Sequence, residues 1–281
     1  MKTVGFIGTG RIGFAMIQCM LGKGYRVRIW NRTKEKAEPL VNVGAILENS
    51  IQDVFAKETV VFLSLGDGKD VLEVINKGKS RKGTFIVDTS TVDPKDTKKI
   101  STMLSKKGVF YLEAPVLSAP PHVQKGETSF ILGGDVASKP IVRELLNPIS
   151  ANIIDAGSAE QASAAKIAYN LLHGIIVAGT VESMVLGKSL GLEPEFMREL
   201  FAKGTVNCGS VVRASHQVFS SEAKLITFSM RHRLKDSEIA SSLAKRSRKK
   251  LPVHDAATAQ YAKAVKKNLA EEAPPAIWKL Y

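Results

Sequence analysis

The chain has 281 residues, 44% of them hydrophobic, and a formal net charge of +13 from 40 Lys+Arg against 27 Asp+Glu. That apolar share is enough for one large or two ordinary cores and excludes wholesale disorder. Two distant cysteines, Cys19 and Cys208, exclude a disulfide framework and a cysteine zinc site.

In chain order, β-rich runs alternate with helix-spaced runs. Val4 to Ile7, Arg26 to Trp30, Thr59 to Leu63, Thr84 to Asp88, Phe110 to Ala114 and Ser129 to Leu132 read as strands. Between them, Ile12 to Lys23, Lys34 to Val41, Asp67 to Asn76 and Pro94 to Lys107 read as helices. This alternation predicts a mostly parallel sheet covered on both faces, an α/β doubly wound domain over residues 1–157. From about Ser158 the strand signals stop. Ser158 to Leu190 is a long, Ala-rich helical stretch, followed by helices at Glu195 to Lys203, Val211 to Val218, Leu234 to Lys245 and Asp255 to Ala270. Residues 158–281 therefore read as an all-helical domain that opens on a long interdomain helix, with a small-molecule cleft expected beside it.

No run approaches the roughly 20 apolar residues of a membrane span, the longest apolar stretches, such as Gly174 to Gly179, read as part of a buried helix, and the N-terminal apolar stretch is too short and too soon broken by glycine to read as a signal peptide. A cytoplasmic location without a membrane partner is expected. The basic excess attracts phosphorylated cofactors, carboxylates and polyanions alike. Its densest cluster, Lys245, Arg246, Arg248, Lys249 and Lys250, has no interleaved aromatics, so it reads as a solvated basic helix end or loop, and nucleic acid is not an expected partner. His122, His173 and His216 show no metal-ligand spacing, and no metal is expected.

The sharpest local signal is Gly8-Thr9-Gly10-Arg11-Ile12-Gly13, which directly follows a strand and opens a helix. In that context Gly8 permits the tight turn, Gly10 lets backbone approach a pyrophosphate, and Gly13 lets helix and strand pack closely. The helix N-terminus offers its backbone N–H groups and partial positive charge to phosphates. The second strand ends in Asn31-Arg32-Thr33 rather than in an acidic residue. Asn31 does not repel a 2′-phosphate, Arg32 can hold one, and Thr33 adds a hydroxyl donor. NADP(H) is the expected cofactor and NAD(H) the alternative.

The run Gly5 to Gly13 with Asn31-Arg32-Thr33 resembles the β-hydroxyacid dehydrogenases, a group that includes 3-hydroxyisobutyrate dehydrogenases and the tartronate-semialdehyde and glyoxylate/succinic-semialdehyde reductases. The likeness continues through Asp88-Thr89-Ser90-Thr91-Val92-Asp93-Pro94, Glu113-Ala114-Pro115-Val116, Lys166 to Asn170 and Phe228 to Asp236, nearly the whole chain in order. It implies a Rossmann-type sheet followed by a 6-phosphogluconate-dehydrogenase-like helical domain, a homodimer or homotetramer, and a small carboxylate or carbonyl substrate. It makes Lys166 the catalytic lysine and Asn170 its partner at the substrate. Leu65 and Thr91 then contact the cofactor, and Lys235, beside Asp236, reaches its reactive end.

The lysine role also has a physical footing. Proton transfer to or from the reacting oxygen needs an acid/base, and a cationic lysine stabilises negative charge there. Lys166 lies within the small, apolar stretch Ala162 to Ala168, and Asn170, four residues on, shares its helix face. Without the resemblance, Lys235 and Asp236 read as surface charges.

Two departures stand out. Where the family carries Ser-Gly-Gly after Ala-Pro-Val, this chain has Leu117-Ser118-Ala119, so Ser118 and Ala119 become the candidates for holding substrate. Ahead of Lys166, Glu160 and Ala162 replace two family glycines, while Gly157 remains. These changes admit a bulkier or less acidic carbonyl. Rival readings are an imine reductase of a related branch, which usually lacks the lysine, 6-phosphogluconate chemistry, and a non-catalytic relative that binds chromatin or nucleic acid.

Overall fold

The computed structural model describes residues 2–220 and 228–281. By internal contacts it divides into two units, Met1–Lys166 and Ile167–Tyr281.

The first unit is built on one eight-stranded sheet: β1 (Thr3–Ile7), β2 (Arg26–Trp30), β3 (Ile46–Leu47), β4 (Val60–Leu63), β5 (Phe85–Asp88), β6 (Phe110–Glu113), β7 (Ser129–Gly134) and β8 (Asn152–Gly157). Their spatial order is β3-β2-β1-β4-β5-β6-β7-β8. Every pairing is parallel except β6 with β7, as the alternation of strands and helices predicted. The order reverses between β1 and β4. At that switch point the carboxyl ends of the strands open a crevice, the standard place for a ligand in a doubly wound sheet.

Seven helices accompany the sheet among the described residues: α1 (Arg11–Gly22), α2 (Glu38–Val41), α3 (Ile51–Lys57), α4 (Gly68–Gly78), α5 (Pro94–Ser105), α6 (Pro120–Lys125) and α7 (Lys139–Leu146). Alternate strand residues feed two cores. Phe6, Phe62, Val87 and Leu112 join Met16 and Met20 of α1 in one. Ile7, Val61, Leu63 and Ile86 join Val54 of α3, Val71 of α4 and Ile100 of α5 in the other. Both faces of the central strands β1, β4 and β5 are thus dry, which is why they read as nearly continuous apolar runs.

The helix expected over Lys34 to Val41 is broken into a 3₁₀ turn, Lys34–Lys36, and the four-residue α2. Pro39 lacks an N–H and its ring opposes the carbonyl four residues back, so the helix restarts there. The strands β3 and β8 and the helices α3, α6 and α7 add to the predicted elements.

The second unit is helical, with α9 (Pro194–Lys203), α10 (Gly209–Gln217), α11 (Met230–Arg246), α12 (Pro252–Lys266) and a 3₁₀ segment, Pro274–Leu280. Its core gathers Val181, Met184, Met197, Phe201, Met230, Tyr261 and Ile277. The 31-residue α8 (Ala159–Ser189) contains the division between the units. Taken as a whole helix, α8 is long and apolar enough to cross a membrane, with a window of mean hydropathy 1.3, although no uninterrupted apolar run suggested it. Of that window 44% is buried within the protein, and Val177, Val181 and Met184 are core side chains.

Candidate active site

The glycine loop after β1 lies at the switch point. Gly8 adopts a left-handed φ of +99°, and a Cβ there would stand 2.3 Å from the Ser64 carbonyl oxygen after β4. A Cβ on Gly13 would stand 2.1 Å from the Gly8 carbonyl oxygen. Both positions are closed to any side chain by the protein's own backbone. Gly10 differs: its φ of −65° suits any residue, and nothing lies within 4 Å of a Cβ built on it. Packing does not require glycine at position 10, whereas close approach of a diphosphate to the backbone does. Arg11 and Ile12, at the start of α1, are exposed and half-buried, and the first N–H groups of a helix have no intrahelical partner. Thr9 is buried, and its hydroxyl oxygen has no hydrogen-bond partner among the described residues. The loop fits a dinucleotide.

The end of β2 is tied to this loop. Asn31 Oδ1 accepts the Thr9 N–H at 2.9 Å, and its Nδ2 donates to the Thr33 carbonyl at 2.8 Å. Asn31 therefore holds the turn. Arg32 is exposed and ion-paired with two residues of α4, Asp70 at 3.3 Å and Glu73 at 3.1 Å. These carboxylates are a feature that motif reading overlooked.

Beyond β4 and β5, the Leu65 N–H donates to Ser90 Oγ at 2.9 Å, and the Ser90 N–H donates to Asp88 Oδ1 at 2.9 Å. Leu65 and Thr91 are both half-buried on these two loops. The loop after β6 is fixed by β7: the Leu117 N–H donates to the Ser129 carbonyl at 3.0 Å and the Ile131 N–H to the Pro115 carbonyl at 3.1 Å. Ser118 and Ala119 follow, half-buried, and Pro120 then starts α6.

Lys166 is brought to the same loop. Its Nζ donates to the Val116 carbonyl at 2.6 Å, and the side chain is partly buried. The helix start that carries it sits close on the sheet, because a Cβ on Gly133 would stand 2.7 Å from Ala162 Cβ and 2.2 Å from the Ser158 carbonyl oxygen. Carboxyl-edge loops after β1, β4, β5 and β6 thus supply Gly8 to Gly13, Leu65, Thr91, Ser118 and Lys166's anchor in one unit.

In the second unit a buried polar cluster surrounds Asn170. Its Nδ2 donates to Asp236 Oδ2 at 2.7 Å, and Lys235 Nζ lies 3.2 Å from Asp236 Oδ1. Arg233 is 2% exposed and donates from Nη1 to the Asn170 carbonyl at 2.7 Å. Its other terminal nitrogen meets His173 Nδ1, and its guanidinium lies 4.9 Å from the centre of the Phe228 ring. Burial lowers the Arg233 pKa, with the neighbouring Tyr261 and Asp236 opposing that shift. Asp236 is 3% exposed, so the surface reading of its charge is corrected. Arg233 and His173 join a cluster that spacing alone did not reveal. No cluster of His, Cys, Asp and Glu among the described residues has the arrangement to hold a metal ion.

Two sequence profiles cover this chain. The NAD binding domain of 6-phosphogluconate dehydrogenase matches residues 3–157, and the NAD-binding domain of NADP-dependent 3-hydroxyisobutyrate dehydrogenase matches residues 161–281. The chain belongs to the β-hydroxyacid dehydrogenase family. As a member it is an NAD(P)-dependent oxidoreductase acting on CH–OH groups. It is 28% identical to the chloroplastic glyoxylate/succinic semialdehyde reductase 2 of Arabidopsis thaliana over 96% of its own length and 76% of that protein's. Among solved structures, a 3-hydroxyisobutyrate dehydrogenase from Salmonella typhimurium shares the fold at a TM-score of 0.93, with 20% identity and 100% of both chains covered. An imine reductase from a Pseudomonas species matches at a TM-score of 0.68 and 19% identity, over 99% of this chain and 98% of that one. This β-hydroxyacid dehydrogenase is thus related in fold to imine reducers, with the better superposition on the hydroxyacid side.

Proposed function

We propose that this β-hydroxyacid dehydrogenase is an NADPH-preferring reductase of a small aldehyde or keto acid, reversible as oxidation of the hydroxyacid, with Lys166 as the acid/base. The observation that carries this reading is the 2.6 Å bond from Lys166 Nζ to the Val116 carbonyl, which sets an ammonium against the loop after β6. There Lys166 delivers a proton to the substrate oxygen during reduction, takes it back during oxidation, and stabilises negative charge on that oxygen in between. A bound nicotinamide supplies or accepts the hydride at the adjacent carbon.

The other roles follow the same loops. Leu117 uses its N–H on β7, so Ser118 and Ala119 are the first residues after Ala-Pro-Val able to turn donors to a substrate carboxylate. Gly8 to Gly13 hold the diphosphate, and Leu65 and Thr91 flank the cofactor. Asn170 and Lys235 carry the family's substrate and cofactor contacts. Arg32 favours the 2′-phosphate: its partners Asp70 and Glu73 are substantially exposed, and solvent-screened pairs of this kind contribute little. A phosphate dianion displaces them. Homo-oligomerisation is supported by exposed Leu186, Leu190, Phe196 and Leu200 of the second unit, and sedimentation velocity at micromolar protein checks it, a lone monomer overturning it.

The test is absorbance at the reduced-nicotinamide band, with NADPH or NADH against glyoxylate, succinic semialdehyde, methylmalonate semialdehyde and tartronate semialdehyde. NADPH oxidation that drops at least about a hundredfold in Lys166→Ala supports the assignment. Undiminished turnover in that variant removes Lys166 from the chemistry. Turnover of cyclic imines but of none of these carbonyls favours the imine-reducing branch.

A further inference from the structure

Below the loops that follow β5 and β6, five polar side chains are sealed inside the first unit. Asp88 ends β5, Tyr111 and Glu113 lie on β6, Thr97 on α5 and Ser163 on α8. Asp88 and Glu113 are both 0% exposed. The Tyr111 hydroxyl stands 2.7 Å from Asp88 Oδ2 and 3.0 Å from Glu113 Oε1. Thr97 Oγ1 is 2.9 Å from the same Glu113 oxygen and 2.8 Å from Ser163 Oγ. Ser163 Oγ is in turn 3.2 Å from the Ala159 carbonyl. With Leu65 bonded to Ser90 and Ser90 to Asp88, the chain of hydrogen bonds runs unbroken from the cofactor loops to the turn of α8 that precedes Lys166.

Counting hydrogens along this chain decides who is charged. Tyr111 has one hydrogen and two carboxyl neighbours. Its shorter contact is to Asp88, whose other oxygen also accepts the Ser90 N–H. Glu113 Oε2 is buried with no hydrogen-bond partner among the described residues. On a carboxylate that oxygen would carry buried charge without compensation, whereas on a neutral carboxyl it is only a carbonyl. The Glu113–Tyr111 contact of 3.0 Å also needs a hydrogen, and a protonated Oε1 provides it. The groups facing Glu113 are Asp88 from β5, Tyr111 from its own strand, and the hydroxyls of Thr97 from α5 and Ser163 from α8. The neighbouring strand β7 places Gly133 opposite it. Burial first, and then the charge of Asp88, push its carboxyl well above the usual glutamate range.

We propose that Glu113 is a neutral acid that donates to Tyr111 while Tyr111 donates to an ionised Asp88, and that this chain positions the turn of α8 bearing Lys166. The positioning half rests on the acid/base reading of Lys166; the protonation half does not.

Glu113→Gln separates the alternatives. An amide donates to Tyr111 and to Thr97, Thr97 then donates to Ser163, and Ser163 to the Ala159 carbonyl, so every hydrogen finds an acceptor. In the native protein the folded-state pKa of Glu113 lies above its unfolded value of about 4.3, so its contribution to stability is complete below that pH and declines as pH rises towards the folded value. The melting temperature of Glu113→Gln minus that of the native chain should therefore rise by roughly 4 °C or more between about pH 5 and pH 8. A flat or falling difference means that Glu113 is ionised in the fold and overturns the protonation scheme.

For positioning, Glu113→Leu should lower kcat at least about tenfold while the Kd for NADPH, read by fluorescence titration, changes less than about twofold, and Glu113→Gln should recover most of the kcat. If Glu113→Leu does not fold, Thr97→Val, which cuts the chain nearer α8, should show the same split. An unchanged kcat in these variants, or a Kd that falls away in step with kcat, overturns the positioning role. Continued turnover by Lys166→Ala would instead sink the acid/base reading and leave the pH-dependent melting untouched.

Discussion

The two units build their candidate polar sites from different materials. In the first, the candidate site is mostly backbone: the turn at Gly8, the Leu65 N–H, and the Val116 carbonyl that accepts from Lys166. In the second it is made of side chains that hold one another, Asn170 with Asp236 and Arg233 with His173. Backbone sites limit residue type by steric exclusion, so they leave a trace in the sequence. Side-chain clusters assembled from distant helices leave almost none, because any one member looks like an ordinary polar residue. The same contrast predicts how each unit responds to substitution.

The largest effect belongs to the glycine loop. In Gly13→Ala the new methyl meets the Gly8 carbonyl oxygen at 2.1 Å, and backbone cannot step aside cheaply. Cofactor affinity should fall by at least about a hundredfold, with a drop of several degrees in melting temperature, roughly 5 °C or more. Gly10→Ala meets no protein atom within 4 Å. Its melting temperature should stay within about 2 °C of the native value while NADPH affinity falls about tenfold. Fluorescence titration beside thermal unfolding distinguishes the pair. Native affinity in Gly10→Ala would show that the loop does not carry the diphosphate.

The second unit should fail through stability. Asp236→Ala strips Asn170 Nδ2 of its acceptor and removes a carboxylate whose charge favours the buried Arg233 cation. Unfolding in urea should show a loss of about 2–4 kcal/mol, with Asp236→Asn losing less because its carbonyl still accepts. A change under about 0.5 kcal/mol would mean that the cluster is only a surface network.

These differences explain what could be read in advance. The strand–glycine turn–helix of Ile7 to Gly13 was legible because two of its glycines are obligatory. The strands β1 and β4 to β7 were legible because most of their residues are buried, and β2 because Val27 and Ile29 alternate with Arg26 and Arg28. β3 pairs through only two residues, Ile46 and Leu47, too short for a period to register. β8 is largely exposed, with Ile154 at 52%, so no alternation marks it. α3 did carry a sign: Ser50 caps it, accepting the Asp53 N–H at 3.1 Å, and Ser-Ile-Gln-Asp is a capping pattern. Of the site, the uncharged Asn31 signals tolerance of a phosphate in the sequence, while in the structure it braces Thr9. Arg233 was invisible because burying an arginine depends on the Asn170 carbonyl and His173, which only the packed helices bring to it.

The smallest predicted effect tests a side-chain ion pair beside the glycine loop. Arg32 is held by Asp70 and Glu73, and Glu73 is shared with Lys77 at 2.7 Å. Lys77, through its hydrogen bond and then its charge, and Arg32 by charge keep the Glu73 carboxyl below its ordinary range, so it remains ionised at neutral pH and competes with a 2′-phosphate for Arg32. Removing Arg32 (Arg32→Ala) should weaken NADPH binding about tenfold and leave NADH unaffected. Removing the competitor (Glu73→Gln) should tighten NADPH two- to fivefold, roughly the scale of an exposed pair, and that gain should shrink in high salt. Titration of both variants with both cofactors is decisive in either direction. If Arg32→Ala shifts NADPH and NADH alike, the ribose phosphate is not what Arg32 recognises. The acidic pair on α4 then serves only to anchor a solvated cation, and the cofactor choice passes to NAD.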